Sequence, residues 1–87
     1  MQFVIPYTYE PDKRDAIIKR RLEKGASFAS GVKVIAEYSV IGGGRGFSVV
    51  EANDPKALLQ SSLAWSDLLK VEILPVMDAE EVMKLVK

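Results

Sequence analysis

The chain has 87 residues, 48% of them apolar, and its twelve basic and twelve acidic side chains cancel to a net charge of zero. These values predict one globular domain over residues 1–87 and exclude a disordered chain, a basic polyanion binder and an acidic tail. The chain has no cysteine and no histidine, which excludes disulfides, thiol nucleophiles and the commonest general base and metal ligand. We therefore expect neither a metal site nor a cofactor.

No stretch of the chain approaches the roughly 20 consecutive apolar residues that a membrane-spanning helix needs. The first residues also lack the basic region and the long apolar run of a signal peptide. We therefore expect a cytoplasmic protein without a membrane partner. A chain of this size buries only about 60% of its unfolded surface, so its stability margin is narrow unless something else covers apolar surface.

The first half of the chain is predicted to form a strand, a helix and a second strand. Gln2–Tyr9 is rich in the β-branched and aromatic residues typical of strands. Pro11 suits the first turn of a helix, which is predicted to run to Lys24 and to end at Gly25. The second strand, Gly31–Ile41, alternates in polarity, and we assign its apolar set to the helix-covered face: Val32, Val34, Ala36, Tyr38 and Val40.

A glycine-rich turn and a second helix follow. Gly42–Gly44 is predicted to connect the second strand to a third one, Arg45–Ala52, as a β-hairpin. Asp54 is expected to cap the second helix, which is predicted over Pro55–Leu69. This junction repeats the acid–proline start of the first helix.

A fourth strand at Val71–Val76, whose Pro75 favours a sheet edge, and a helix at Asp78–Val86 complete the chain. Asp78 and Glu81 have the spacing of a capping box. The order predicts an α+β, ferredoxin-like βαββαβ fold with an extra C-terminal helix and an antiparallel four-stranded sheet. Right-handed crossovers place both long helices on one face, with the first and third strands in the centre. Pro6 then lies in a central strand, where its missing N–H predicts a bulge or a twist.

Both faces of the predicted sheet carry apolar residues. The second strand has Ile35 and Ile41 on its second face, the fourth has Leu74 and Val76, and the third is apolar on both faces. One layer of helices covers only one face, and large uncovered apolar patches mark interfaces. We therefore predict a homodimer in which two copies pack sheet to sheet.

The glycine-rich string Gly42–Phe47 differs from the known nucleotide-binding motifs, and the strand that it begins matches an RNA-binding motif only in part. Gly42–Phe47 is neither a P-loop nor a dinucleotide fingerprint, because no Gly-Lys-Ser/Thr and no helix follows it. A hairpin turn is the simpler interpretation, with Arg45 poised for an anionic group as the alternative. Arg45–Ala52 partly matches the RNA-recognition signature, and Phe47 is the residue that would stack on a base. The missing further aromatics, Glu51 and the zero net charge disfavour nucleic acid.

Several polar aromatic and charged residues are candidates for a site. Asp67 opposes the dipole of the predicted second helix and therefore indicates a tertiary partner. Glu37 and Glu51 are candidate bases whose pKa would be raised in an apolar interior. The basic run from Lys19 to Lys24 is interpreted as a solvated helix face. The candidate ligand-binding residues, Trp65 being also a core candidate, are Tyr7, Tyr38, Arg45, Phe47, Glu51 and Trp65.

Four strings in this order resemble a family of small prokaryotic proteins of unknown function within the dimeric α/β-barrel superfamily: Gly42–Phe47, Val50–Pro55, Trp65–Leu69 and Glu72–Val76. The resemblance extends from Phe3 to Glu81 and implies a ferredoxin-like protomer and a sheet-to-sheet homodimer. That superfamily includes cofactor-independent oxygenases, lactone isomerases and haem proteins. It implies cofactor-free monooxygenase- or isomerase-like chemistry if this chain is an enzyme. The resemblance also implies a position late in the second strand, Ser39 here, where similar proteins often have a histidine. Without histidine the usual haem ligation is excluded.

The leading hypothesis is a homodimer that binds a small hydrophobic or aromatic molecule in the barrel interior. Two alternatives stay open, a structural or interaction module without a ligand and single-stranded RNA binding through the sheet face. A pocket lined by tyrosine and glutamate would favour the ligand, and a packed interior would favour the module. RNA binding needs an exposed Phe47 on a free sheet face.

Overall fold

A single antiparallel sheet with helices organises residues 1–86, which are the residues that the computed structural model describes. The fold is α+β, with five strands and three α-helices in that part of the chain. A 3-10 turn at Pro11–Lys13 leads into the first helix. In chain order the elements are β1 (Gln2–Thr8), α1 (Arg14–Lys24), β2 (Lys33–Ser39), β3 (Arg45–Glu51), α2 (Pro55–Leu63), β4 (Lys70–Val71), β5 (Leu74–Val76) and α3 (Ala79–Leu85).

The strand order is β2-β3-β1-β4, with β5 also paired to β1, so the prediction that the first and third strands are central is confirmed. All four pairings are antiparallel. The predicted β2–β3 hairpin is present, and its turn places Gly43 and Gly44 at φ angles of 80° and 78°. Side chains with a Cβ rarely adopt this backbone conformation, which explains the glycines.

The predicted fourth strand is split in two, and Pro6 gives the reason. β4 and β5 pair with β1 in one continuous register, and the two residues between them lie opposite Ile5 and Pro6. The Pro6 carbonyl accepts a hydrogen bond from the Glu72 amide at 3.0 Å, but Pro6 has no N–H to return to Glu72. The expected bulge in β1 is wrong, because β1 pairs with β3 without any register shift. The missing donor interrupts the edge strand instead.

A β-bulge in β2 changes which side chains face the helices. The register shifts between Val34 and Ala36, so that Ala36 pairs with Val49 and Tyr38 pairs with Phe47. The prediction that Ala36 and Tyr38 share the helix-covered face is therefore wrong. The face opposite the helices, which we call the open face, comprises Val4, Pro6, Ala36, Tyr38, Phe47, Val49 and Leu74.

The core lies between the other face of the sheet and α2. Its buried cluster is formed by Ile5, Val50, Ala52 and Leu58, with five half-buried residues packed around it: Phe3, Phe28, Val32, Val71 and Ile73. α1 contributes no buried residue, and Leu22 on this helix is 81% exposed. The inner side of α1 is therefore not closed by apolar packing.

The predicted end of α1 at Lys24 and the predicted caps of α2 and α3 are confirmed, whereas the predicted end of α2 is wrong. Asp54 and Asp78 accept hydrogen bonds from the amides of Lys56 and Glu80, so both act as helix caps. The predicted capping box with Glu81 is wrong, because the Glu81 carboxylate accepts a hydrogen bond from Lys84 at 3.1 Å. α2 ends at Leu63, six residues before the predicted end, and the chain continues in turns.

Candidate functional site

A cavity of about 520 Å³ lies between α1, α2 and the helix-covered face of the sheet. This volume falls within the range of about 300–1,000 Å³ that is typical of small-molecule sites. The space exists because the elements around it carry small residues. Gly46 and Ser48 are two of the three inner residues of β3, the third being the core residue Val50, and Ser61 lines the cavity from α2. The walls are otherwise largely apolar and include Ile5, Ile17, Phe28, Leu58, Val71 and Ile73.

Arg21 of α1 and Glu37 of β2 form a bidentate ion pair at the cavity. Arg21 Nη1 and Nη2 donate to the two carboxylate oxygens of Glu37 at 3.0 and 2.9 Å. The hydrogen bonds from Arg21 lower the pKa of Glu37, although partial burial opposes this change. The expectation of a raised pKa at Glu37 is therefore wrong, because Arg21 stabilises the ionised carboxylate. The pair gives this wall a strong dipole without a net charge.

Tyr7 lies on the cavity side of the sheet, directly above Gly46. A Cβ atom on Gly46 would lie 2.7 Å from Cζ of Tyr7 and 2.5 Å from the carbonyl oxygen of Tyr38. Only a residue without a side chain leaves room for the Tyr7 phenol at this position. The ring of Tyr7 also stacks on Tyr9, with the centroids 6.4 Å apart. Two phenols thus form one end of the cavity.

The hydroxyl of Ser61 has a structural role. It donates to the Ala57 carbonyl at 2.8 Å and accepts from the Ala29 amide at 2.9 Å, so both of its functions are used. Ser48 and Tyr7 also line the cavity, and a hydroxyl can both donate to and accept from a polar atom of a ligand.

Trp65 also lines the cavity and is held by α1 and the loop that follows α1. Its indole N–H donates to the Ala26 carbonyl at 2.9 Å, and the Arg20 guanidinium lies 5.4 Å from the ring centroid. Arg20 also donates to both carboxylate oxygens of Asp67 at 2.7 and 2.6 Å. The predicted tertiary partner of Asp67 thus exists, and it comes from a helix. These hydrogen bonds lower the pKa of Asp67 to about 2.

The two arginines attach α1 to the rest of the domain. Arg20 binds the turn after α2 through Asp67 and the Ala64 carbonyl, and Arg21 binds β2 through Glu37. The basic run is exposed as interpreted except at Arg20, which is half-buried, but that interpretation did not include the ion pairs of Arg20 and Arg21. Sequence spacing within the helix contains no signal for these pairs, because their partners lie 47 and 16 residues away.

The structure divides the six predicted ligand-binding residues into two groups. Tyr7 and Trp65 line the cavity. Tyr38 and Phe47 border it from β2 and β3, but their rings pack on each other on the open face, with centroids 5.2 Å apart. Arg45 and Glu51 also lie on the open face by their pairing, away from the cavity. Glu51 binds the amino group of Met1. The predicted set does not include other polar residues that line the cavity, among them Tyr9, Arg21 and Ser48.

The chain matches the family model described as "Domain of unknown function (DUF3303)" over residues 1–87, and it belongs to this family. A search of curated proteins finds no match. Within residues 1–86, no helix has the length and apolar character needed to cross a membrane. The same residues contain no cluster of three or more carboxylates able to hold a metal ion.

Proposed function

We propose that the protein is a homodimer whose protomers each bind a small aromatic or hydrophobic molecule in the cavity under α1. The observation that carries this proposal is the composition of the cavity. Its apolar walls surround two hydroxyls, from Tyr7 and Ser48, and one neutralised ion pair. A few convergent polar groups in a largely apolar pocket are the usual form of a small-molecule site.

The ligand site is proposed on the helix side of the sheet and not between the sheets of two copies. The cavity is formed within one protomer, by residues of α1, α2 and the sheet. Because Arg21 is already neutralised by Glu37, a ligand gains little from carrying a carboxylate. The geometry therefore favours an uncharged aromatic molecule with a hydroxyl or carbonyl group.

The proposed dimer rests on the open face. The strand order and the antiparallel pairings are those expected of a ferredoxin-like sheet, which has helices on one side only. The side chains of Tyr38 and Phe47 are 56% and 36% exposed there. Contiguous exposed apolar residues of this kind are typical of an interface. We propose face-to-face packing of two copies, as in the dimeric α/β barrels.

Binding has stronger support than catalysis. Glu37 is the carboxylate at the cavity, and its ion pair with Arg21 makes it a weaker proton acceptor. Cofactor-independent monooxygenase- or isomerase-like chemistry would need a different base. Ligand binding without chemistry is therefore the primary proposal.

Trp65 provides a direct binding assay because it is the only tryptophan and it lines the cavity. The probe is 2-naphthol, which is uncharged, aromatic and hydroxylated. We expect a saturable change in Trp65 emission and a rise in Tm on adding the probe. Ser48→Leu should weaken binding at least tenfold by filling the cavity, whereas Ser30→Leu, at an exposed position, should bind like the wild type. Ile17→Phe fills the cavity from α1 and replaces Ser48→Leu if that variant does not fold.

Two results would contradict the ligand proposal. The first is the absence of a saturable response with 2-naphthol and related phenols, which would favour a structural module. The second is equal affinity of Ser48→Leu and the wild type for 2-naphthol.

The dimer is tested by sedimentation at micromolar concentration. The wild type should sediment with twice the protomer mass of 9.6 kDa, and Phe47→Glu should sediment as a monomer. A wild-type protein that sediments only as one copy would refute the dimer.

One observation favours single-stranded RNA as a second candidate. Tyr38 and Phe47 form an exposed aromatic pair on the sheet, and Arg45 pairs with Thr8 on the same face. Stacking of bases on such rings contributes about 1–3 kcal/mol per base. RNA and a second copy would compete for this face. Salt-dependent RNA binding that Phe47→Ala abolishes would support this candidate, and no binding at low salt would exclude it.

A further inference from the structure

The C-terminal helix α3 is an amphipathic element that the protomer does not cover. No residue of α3 is buried. Four apolar side chains, Val82, Met83, Leu85 and Val86, are all exposed, and that of Leu85 is 75% exposed. The polar residues lie on the other side of the helix, where Lys84 binds Glu81. A terminal helix with this pattern gains little stability from its own sequence and normally needs a packing surface.

The shape of the protomer agrees with a projecting arm. Its radius of gyration is 14.3 Å, whereas a compact domain of this length has about 12 Å. The longest dimension is 49 Å, against 29 and 17 Å for the others. α3 also leaves the open face of its own sheet uncovered, because Tyr38 and Leu74 on that face are exposed. The chain thus does not use α3 to cover its own apolar surface.

A second exposed apolar surface lies at the opposite edge of the sheet. Val34 and Ile35 are exposed near the start of β2, and we call them the β2 margin. β5, from which α3 follows, is at the other edge, beyond β1 and β3. Three strand spacings of about 4.8 Å place these edges roughly 14 Å apart. In a face-to-face dimer with its twofold axis parallel to the strands, the β5 edge of one copy lies against the β2 margin of the other.

The area of the sheet supports a contribution from α3. Four strands of up to seven residues cover about 19 by 23 Å, or roughly 440 Å² in projection. Specific dimers usually bury about 800 Å² on each partner. The open face therefore supplies only part of a stable interface. An arm and its acceptor, present once on each copy, would add two equivalent contacts, as twofold symmetry requires.

We infer that α3 is an exchanged arm whose apolar side docks on the β2 margin of a second copy. This inference rests on the proposed homodimer and adds a specific contact to it. The apolar side of α3 covers Val34 and Ile35 of the second copy, and the twofold axis makes this contact twice. The acidic side, with Glu80, stays in solvent.

Cross-linking tests the contact directly, because the chain has no native cysteine. A chain carrying Ile35→Cys and a differently tagged chain carrying Leu85→Cys are mixed and oxidised. We expect a disulfide between the two chains. The matched control replaces Leu85→Cys by Glu80→Cys on the polar side of α3, and it should cross-link at least tenfold less. A third variant carries both Ile35→Cys and Leu85→Cys in one chain. If its disulfide forms only within one chain and never between two chains, the inference is overturned.

Affinity gives a second and independent measurement. Val82→Asp should raise the dimer dissociation constant at least tenfold, whereas Glu80→Gln should leave it unchanged. Because no residue of α3 is buried in the protomer, both variants are expected to fold, which Trp65 emission reports. If Phe47→Glu breaks the dimer but Val82→Asp does not weaken it, the arm is refuted and the dimer stands. If the wild-type chain never dimerises, both proposals fall.

Discussion

Gly46→Ala is the substitution for which the structure gives the clearest cost. The added Cβ would lie 2.7 Å from Cζ of Tyr7 and 2.5 Å from the Tyr38 carbonyl oxygen, whereas real Cβ atoms do not approach other atoms within 3.0 Å. One of these groups belongs to the backbone of β2, so the clash cannot be relieved by moving Tyr7 alone. Overpacking of this kind costs about 1–3 kcal/mol. In a domain of this size each kcal/mol lowers Tm by about 4–8 °C.

The control for this experiment is Gly42→Ala in the same hairpin. A Cβ on Gly42 meets nothing within 4 Å, and its φ is not positive. Gly42→Ala should be neutral or stabilise by up to about 1 kcal/mol, because it restricts the unfolded chain. Urea unfolding followed by Trp65 emission, at one fixed protein concentration, measures both variants. Equal stability of the two variants would refute the packing of Tyr7 over Gly46.

Three further predictions concern the contacts around the sheet and α1. Asp67→Asn should make the free energy of unfolding less dependent on pH below about 4. The pKa of Asp67 in the folded state, about 2, lies below its ordinary value, so the ion pair's stabilisation is lost as pH falls from about 4 to 2. Urea midpoints from pH 7 to 2 that change in parallel with those of the wild type would contradict this. Pro6→Val should give β1 an amide that can donate to Glu72 between β4 and β5. This new amide at position 6 should be protected in hydrogen exchange. Trp65→Phe should cost about 0.5–1.5 kcal/mol through loss of the bond to the Ala26 carbonyl, with any packing loss added to it.

Local signals predicted the order of the elements and where most of them begin. The acid–proline starts at Pro11 and Pro55, the caps at Asp54 and Asp78, and the glycine turn are all read from a few adjacent residues. The strand order then follows from the handedness of the crossovers. From these signals the sequence predicts that β1 and β3 are the central strands, and the structure confirms this prediction.

The errors came from contacts between residues far apart in the chain. The split of the fourth strand depends on Pro6, which reaches it only through the pairing of β1 with the sheet edge. The bidentate pairs of Arg20 and Arg21 depend on the approach of α1 to Asp67 and Glu37. An isolated helix pattern gives an arginine the same description whether its partner is water or a distant carboxylate. These interactions are therefore visible only after folding.

The bulge in β2 has the largest functional consequence of these differences. A one-residue shift in a strand exchanges its two faces. Without the bulge, the alternation through Val34 would direct Tyr38 into the cavity and Glu37 to the open face. With it, Glu37 meets Arg21 and anchors α1 over the cavity, while Tyr38 joins Phe47 on the open face. The proposed ligand site and the proposed interface thus occupy consecutive residues of one strand, so a change in the backbone at this bulge would alter both.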